Sequence, residues 1–90
     1  MEIIDFLQLI GVNVEINFRK NPLPEWCKYK FYTSGVHLDL RENGLQSSVS
    51  GNGNSPDEAM KDLANNLSNK TVRHHGREFK VPELIHTKEV

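Results

Sequence analysis

The chain has 90 residues, 37% hydrophobic and 26% charged, enough for one modest core and not for two. Eleven Lys and Arg stand against twelve Asp and Glu, a formal charge of −1, which excludes a uniformly basic nucleic-acid binder and equally a strongly acidic mimic of one. Cys27 is the single cysteine, so no intramolecular disulfide can form, and a reducing, cytoplasmic setting is expected. No apolar run nears the roughly 20 residues that a membrane span needs. The opening Met1-Glu2-Ile3-Ile4-Asp5 is acidic where a secretory signal is basic.

Taken in chain order, Ile3, Ile4, Phe6, Leu7 and Ile10 crowd one side of a short helix that Gly11 can end in a left-handed conformation. The period then shortens to two. Val12, Val14, Ile16 and Phe18 alternate with Asn13, Glu15, Asn17 and Arg19, the pattern of a strand with one dry face. Pro22 and Pro24 interrupt it. Tyr29 and Phe31 alternate with Lys28 and Lys30 in a second strand, and Thr33-Ser34-Gly35 reads as a turn. Val36, Leu38 and Leu40 continue the inward face, Asn43-Gly44 signals a hairpin, and Leu45, Ser47 and Val49 form a weaker last strand. The expectation is an α+β single domain over residues 1–90: a three- to four-stranded antiparallel meander with two helices packed on one face. Residues 81–90 are expected to form a partly flexible tail in which Val81, Leu84 and Ile85 can still pack, with residues 78–82 adding a short strand or lying across the sheet.

The stretch from Gly51 to Ser68 poses the sharpest question, because a glycine-rich turn feeding a helix is how many proteins hold phosphate. Ser55 is a good N-cap, Pro56 suits the first helical position, and Glu58 completes a Ser-x-x-Glu capping box. Ala59, Met60, Leu63, Ala64 and Leu67 then fall on one helical face, predicting a helix over about residues 55 to 69. A phosphate loop of the Walker type needs a lysine at the helix start, whereas Asp57 and Glu58 stand there and repel an anion. The glycines are therefore read as turn residues and the acids as helix caps.

The strands together with Gly-x-Gly-Asn-Ser-Pro-Asp-Glu-Ala, Gly51 to Ala59, resemble the N-terminal domain of HicB-type antitoxins over about residues 28 to 68. That likeness implies a fold related to the double-stranded-RNA-binding domain, with an α-β-β-β-α core. The whole chain is similar to small phage and prophage proteins of Gram-positive bacteria, in which a glycine-rich stretch precedes a helix and an Arg-Glu-x-x-Val-Pro segment follows, as Arg77 to Pro82 does here. Two departures qualify what the HicB likeness implies. With 22 residues after the helix, a separate DNA-binding segment is not expected. Asp57 and Glu58 stand where an RNA-binding domain presents lysines.

Basic charge gathers in two islands. Arg19, Lys20, Lys28 and Lys30 against Glu25 give a net +3, with Trp26, Tyr29 and Tyr32 in or beside them. Lys70, Arg73, Arg77 and Lys80 against Glu78 give a second +3, enclosing His74 and His75. Cations interleaved with aromatics can hold a single nucleic-acid strand; the same pattern is also a solvated sheet face followed by a basic loop. Cys27, Asp39, Glu42, His37, His74, His75 and His86 are the ionisable candidates for chemistry, but no nucleophile arrangement or zinc-ligand spacing accompanies them. Asp39 and Arg41 are expected to pair on one strand face.

The residues point to a non-enzymatic binding protein without cofactor or metal, with Trp26, Lys28, Lys30, Tyr32, Arg73 and Arg77 as the candidate surface. A host or phage protein is the expected partner, and weak nucleic-acid binding in phage replication or recombination is the alternative.

Overall fold

The computed structural model describes residues 1–20, 22–42 and 45–87. In chain order they form α1 (Ile3–Leu9), β1 (Glu15–Phe18), β2 (Phe31–Ser34), β3 (Asp39–Glu42), β4 (Leu45–Ser48), β5 (Asn52–Gly53), α2 (Pro56–Leu67), β6 (Thr71–His74) and β7 (Arg77–Lys80). The protein is α+β, and every ladder between these strands is antiparallel.

The meander is present as three legs: β1, then β2 with β3, then β4 with β5. It is bent into two sheets, ordered β1-β2-β5 and β4-β3-β6-β7. The bend has a register cause. Between Tyr32 and Asp39 the middle leg takes seven steps where its partner takes four, from Asn52 to Ser48. The surplus residues leave the ladder, with Gly35 at φ +82°, and they carry Val36 and Leu38 into the core. Beyond the bend, β6 takes the side of the middle leg that β1 holds before it. The strand pattern from Val12 is correspondingly shorter than its periodicity: Val12 is buried, but pairing starts at Glu15 and Phe18 is 60% exposed. Thr33 and Ser34 lie inside β2 and not in a turn. The predicted Asn43-Gly44 turn lies outside the described residues.

Both helices follow their local signals. In α1, Ile3, Phe6 and Leu7 are buried. The helix closes in a Schellman motif, with Gly11 N–H donating to Gln8 C=O at 3.1 Å and Val12 N–H to Leu7 C=O at 2.9 Å, and Gly11 sits at φ +74°. In α2, Ser55 Oγ accepts from the Glu58 amide at 3.1 Å, and the Glu58 carboxylate accepts from the Asn54 amide at 2.7 Å. The capping box thus reaches one residue further back than its usual partner. Met60, Leu63, Ala64 and Leu67 are buried in the one core, and Ala59 is buried as well.

The two glycines before α2 do something other than turn the chain. Neither lies in the left-handed region. A Cβ on Gly51 would stand 2.2 Å from the Ala59 carbonyl oxygen, and one on Gly53 would stand 2.5 Å from the Ala59 amide nitrogen. Residues 51–53 therefore lie with their backbone directly on the helix backbone, a spacing only glycine permits. Thr33 fixes the other side of this contact: its N–H donates to Gly51 C=O at 2.9 Å, and its Oγ accepts the Gly51 N–H at 2.8 Å.

After α2 the chain adds the β6–β7 hairpin, turning at His75 (φ 50°) and Gly76 (φ 76°). Positive φ at both central residues is the I′ geometry that matches strand twist. The hairpin returns Val81 and Leu84 to the core, whereas Ile85 is half-exposed and its neighbour His86 is buried instead. Ser68, at the end of α2, docks this segment, accepting the Leu84 N–H at 2.8 Å. Glu2 and Ile85 form a parallel bridge, and the Glu2 carboxylate accepts from the Thr87 amide and hydroxyl. His86, its side chain 1% exposed, sits between Asp57 Oδ1, 3.0 Å from Nε2, and Glu2 Oε1. The Glu2 contact to Nδ1, at 3.4 Å, is an ion-pair separation without hydrogen-bond geometry. Lys88 to Val90 lie outside the described residues.

Two substitutions separate the roles of glycine. Gly51→Ala meets backbone and is expected to cost about 3 kcal/mol, whereas Gly11→Ala meets open space and pays only for its positive φ, about 1 kcal/mol; urea denaturation of both variants measures the difference. His86→Ala leaves Glu2 and Asp57 without their shared partner. A loss of about 2 kcal/mol is expected, with faster amide exchange at Ile3 and Ile85 as its local signature.

Candidate functional site

Arg19 and Lys30 extend the β1–β2 ladder by one bonded pair, Arg19 N–H to Lys30 C=O at 2.7 Å, and Pro22 and Pro24, which follow Arg19, cannot continue it. Cys27 N–H donates to Pro24 C=O at 2.9 Å. That four-residue turn sets Trp26 at its outer corner, 79% exposed. Phe18, Arg19, Lys20, Pro22, Pro24, Trp26 and Tyr32 line a cleft of about 510 Å³ beside it. Phe18 is steadied from beneath by an edge-to-face contact with Phe31, ring centres 5.2 Å apart.

Arg19 is the keystone of this cleft. Its guanidinium lies over the Tyr32 ring at 4.4 Å. Nη1 donates to the Tyr29 carbonyl at 3.0 Å and, more distantly, to the Phe31 carbonyl at 3.4 Å; Nη2 donates to Asn52 Oδ1 at 3.0 Å. A lysine has no planar fork with which to do this. Three hydrogen-bond contacts and the ring stack commit the Arg19 side chain to the protein itself, whereas Lys20, Lys28 and Lys30 of the same island are exposed.

The glycine-rich stretch is held in the same way. Asn52 N–H donates to Asp62 Oδ2 at 2.8 Å, and the Asn54 and Glu58 amides are taken by Glu58 and Ser55. Three of the amides that could face a phosphate, those of Asn52, Asn54 and Glu58, are thus bound to oxygens of this chain. Asn52 has a second role, linking α2 through Asp62 to the cleft through Arg19.

The second island lies elsewhere. Arg73 is flanked across the ladder by Asp39 on one side and Glu78 on the other, and Arg77 is opposite His74. Arg41 donates to Glu78 at 3.1 Å, not to Asp39 as the strand pattern suggested. Acids therefore interleave with these cations. His74, His75 and Arg77 line a separate cleft of about 670 Å³ with Leu9, Ile10 and Phe79. Of the candidate residues, the structure brings Trp26 and Tyr32 together, sets Lys28 and Lys30 on the exposed approach to β2, and places Arg73 and Arg77 on a different hairpin.

Cys27 Sγ lies 3.2 Å from the Tyr29 carbonyl. Among the described residues no cluster of three His, Cys, Asp or Glu is arranged to hold a metal, and no helix is long and apolar enough to cross a membrane. Compared with protein-family models, curated proteins and solved structures, the chain gives no match.

Phe18 and Asn52 belong to the site and were not singled out in the sequence. Phe18 reads as the last inward residue of an alternating strand, and only the prolines that follow hint that the sheet stops there. Asn52 carries no local signal at all. Arg19→Met keeps the aliphatic stem and removes the fork. A stability loss of about 1–3 kcal/mol is expected, and Arg19→Lys should recover only the smaller part of it in the same denaturation assay.

Proposed function

We propose that the protein is a non-enzymatic, phage- or prophage-encoded accessory factor of the host cytoplasm, which engages a host or phage protein through the Trp26 cleft and inhibits it. One observation carries this reading: Trp26 stands 79% exposed at the rim of a cleft whose floor is fixed by the Arg19–Tyr32 stack. An indole held clear of its own core beside a preformed cleft has the character of the buried anchors that dominate protein interfaces. The near-neutral total charge and the acids at the start of α2 favour a protein over a polyanion. The phage or prophage setting is taken from the sequence resemblance of the Gly51–Ala59 and Arg77–Pro82 stretches alone.

Single-stranded nucleic acid is the second reading, because Phe18 and Trp26 beside Lys20, Lys28 and Lys30 offer stacking with cations. Three free lysines neutralise few phosphates, so such binding is expected to be weak and to fall steeply with salt.

The test is affinity capture from host and phage-infected lysates with tagged wild-type and Trp26→Ala proteins. Labelled single-stranded and duplex DNA and RNA are titrated alongside at low and physiological salt. The expected outcome is a partner whose affinity falls at least tenfold, about 1.4 kcal/mol or more, on Trp26→Ala. Nanomolar nucleic-acid binding that survives physiological salt, and is lost on reversing Lys28 and Lys30, would replace the protein reading.

A further inference from the structure

Strand β1 leaves one side of its sheet open. The order β1-β2-β5 gives it a neighbour on one side only among the described residues. In an antiparallel pair, residues that exchange hydrogen bonds alternate with residues that turn their N–H and C=O away. Arg19 N–H donates to Lys30 C=O at 2.7 Å, marking that pair as a bonded one. Stepping back by two, Asn17 with Tyr32 and Glu15 with Ser34 are bonded pairs as well. Ile16 and Phe18 therefore direct their backbone groups to the open side. Thr33 checks the phase: it lies opposite Ile16 and gives its N–H to Gly51, on the side away from β1.

A row of outward donors and acceptors is a template for an added strand. Natural sheets guard such edges with proline, lysine or a bulge, and none of these falls within Glu15-Ile16-Asn17-Phe18. Beside the row stand the exposed rings of Phe18 and Trp26. Past its end the charge is positive, with Lys20, Lys28 and Lys30 exposed and Glu25 the one acid between residues 19 and 30. A second copy of the chain would bring a single acid of its own strand, Glu15, to that end.

We propose that the open edge of β1 takes an extended, acidic segment of a protein partner as an added strand, bonded by the main-chain groups of Ile16 and Phe18, with an apolar side chain against Phe18 and Trp26 and carboxylates meeting Lys20, Lys28 and Lys30. This rests on the reading of the cleft as a protein-binding face, and it specifies the conformation and charge of what binds.

The test is selection of a random dodecapeptide display library on the immobilised full chain, followed by fluorescence titration of the enriched peptides. Wild type is compared with Trp26→Ala, with the double variant Lys20→Glu and Lys28→Glu, and with Ile16→Pro, which deletes an outward N–H that β2 does not use. A protein methylated at the Phe18 backbone nitrogen, assembled by ligation at Cys27, removes the other outward donor without changing a side chain. It decides the matter if Ile16→Pro does not fold. Enriched peptides should be rich in Asp and Glu alternating with β-branched or aromatic residues. They should bind the edge and charge variants at least about tenfold more weakly than wild type. Peptides that bind the edge variants as tightly as wild type but lose affinity on Trp26→Ala overturn the added strand and leave the protein-binding cleft standing. A library that yields no peptide overturns both. Self-association of the wild type that the edge variants abolish assigns the edge to a second copy and overturns the proposal. Salt-resistant binding of oligo(dT) that displaces the peptides overturns it in favour of nucleic acid.

Discussion

Residues 51–53 and helix α2 touch backbone to backbone, and most of the remaining architecture is arranged around that contact. Because no side chain intervenes at Gly51 or Gly53, the helix sits close enough for Leu63 to reach the core beneath the strands. The same closeness lets Asp62 take the Asn52 amide and leaves Asn66 Nδ2 2.8 Å from the Ser50 carbonyl. Buried or half-buried amides need partners, and here the helix supplies them from its outer face. Residues that look like a solvated stripe on α2 are in part hydrogen-bond partners of the chain beside them, Asp62 accepting from Asn52 and Asn66 donating to Ser50.

From this contact the order passes outward to the cleft. Asn52 holds Arg19, Arg19 covers Tyr32, and the turn at Pro24 to Cys27 lifts Trp26 beside them. The floor of the cleft is thus fixed by hydrogen bonds from two strands, while its rim is a short proline-bounded turn with an exposed indole. A rigid floor with an exposed aromatic rim keeps the ordering cost of binding low. It also explains the placement of charge: the cation nearest the centre is used internally, and the lysines at the margin remain available.

What could be read from the sequence was local chemistry. Ser55, Pro56 and Glu58 announce α2, the apolar spacing gives its buried face, and Gly11 ends α1, because each signal acts within a few residues of itself. The bend of the meander was not legible, since it comes from three surplus residues counted between two separate ladders. Of the β6–β7 hairpin only a short strand over residues 78–82 was anticipated, because β6 and β7 are largely exposed and polar and their alternation is faint; the His75-Gly76 turn was its one local cue. The role of Gly51 and Gly53 depends on a helix that begins only after them, and a glycine pair looks the same whether it turns or makes room. In the site, Trp26 and Tyr32 were legible as aromatics amid cations, whereas Arg19 counted only as one cation of the first island, because its partners, residues 29–32 and Asn52, are distant from it in the chain.

The His86 clasp has a kinetic meaning. It closes a contact between residues 85 positions apart, Thr87 on Glu2, and secures α1, a helix of only seven residues. A helix that short has no stability in isolation, so the first element of the chain acquires its lasting form only when nearly the last one arrives. Contacts of such sequence separation raise the contact order and slow the search for the native state. The Gly51–α2 pairing, by contrast, joins neighbours in the chain and can form early. Folding is then expected to begin in the middle of the chain and finish at its ends.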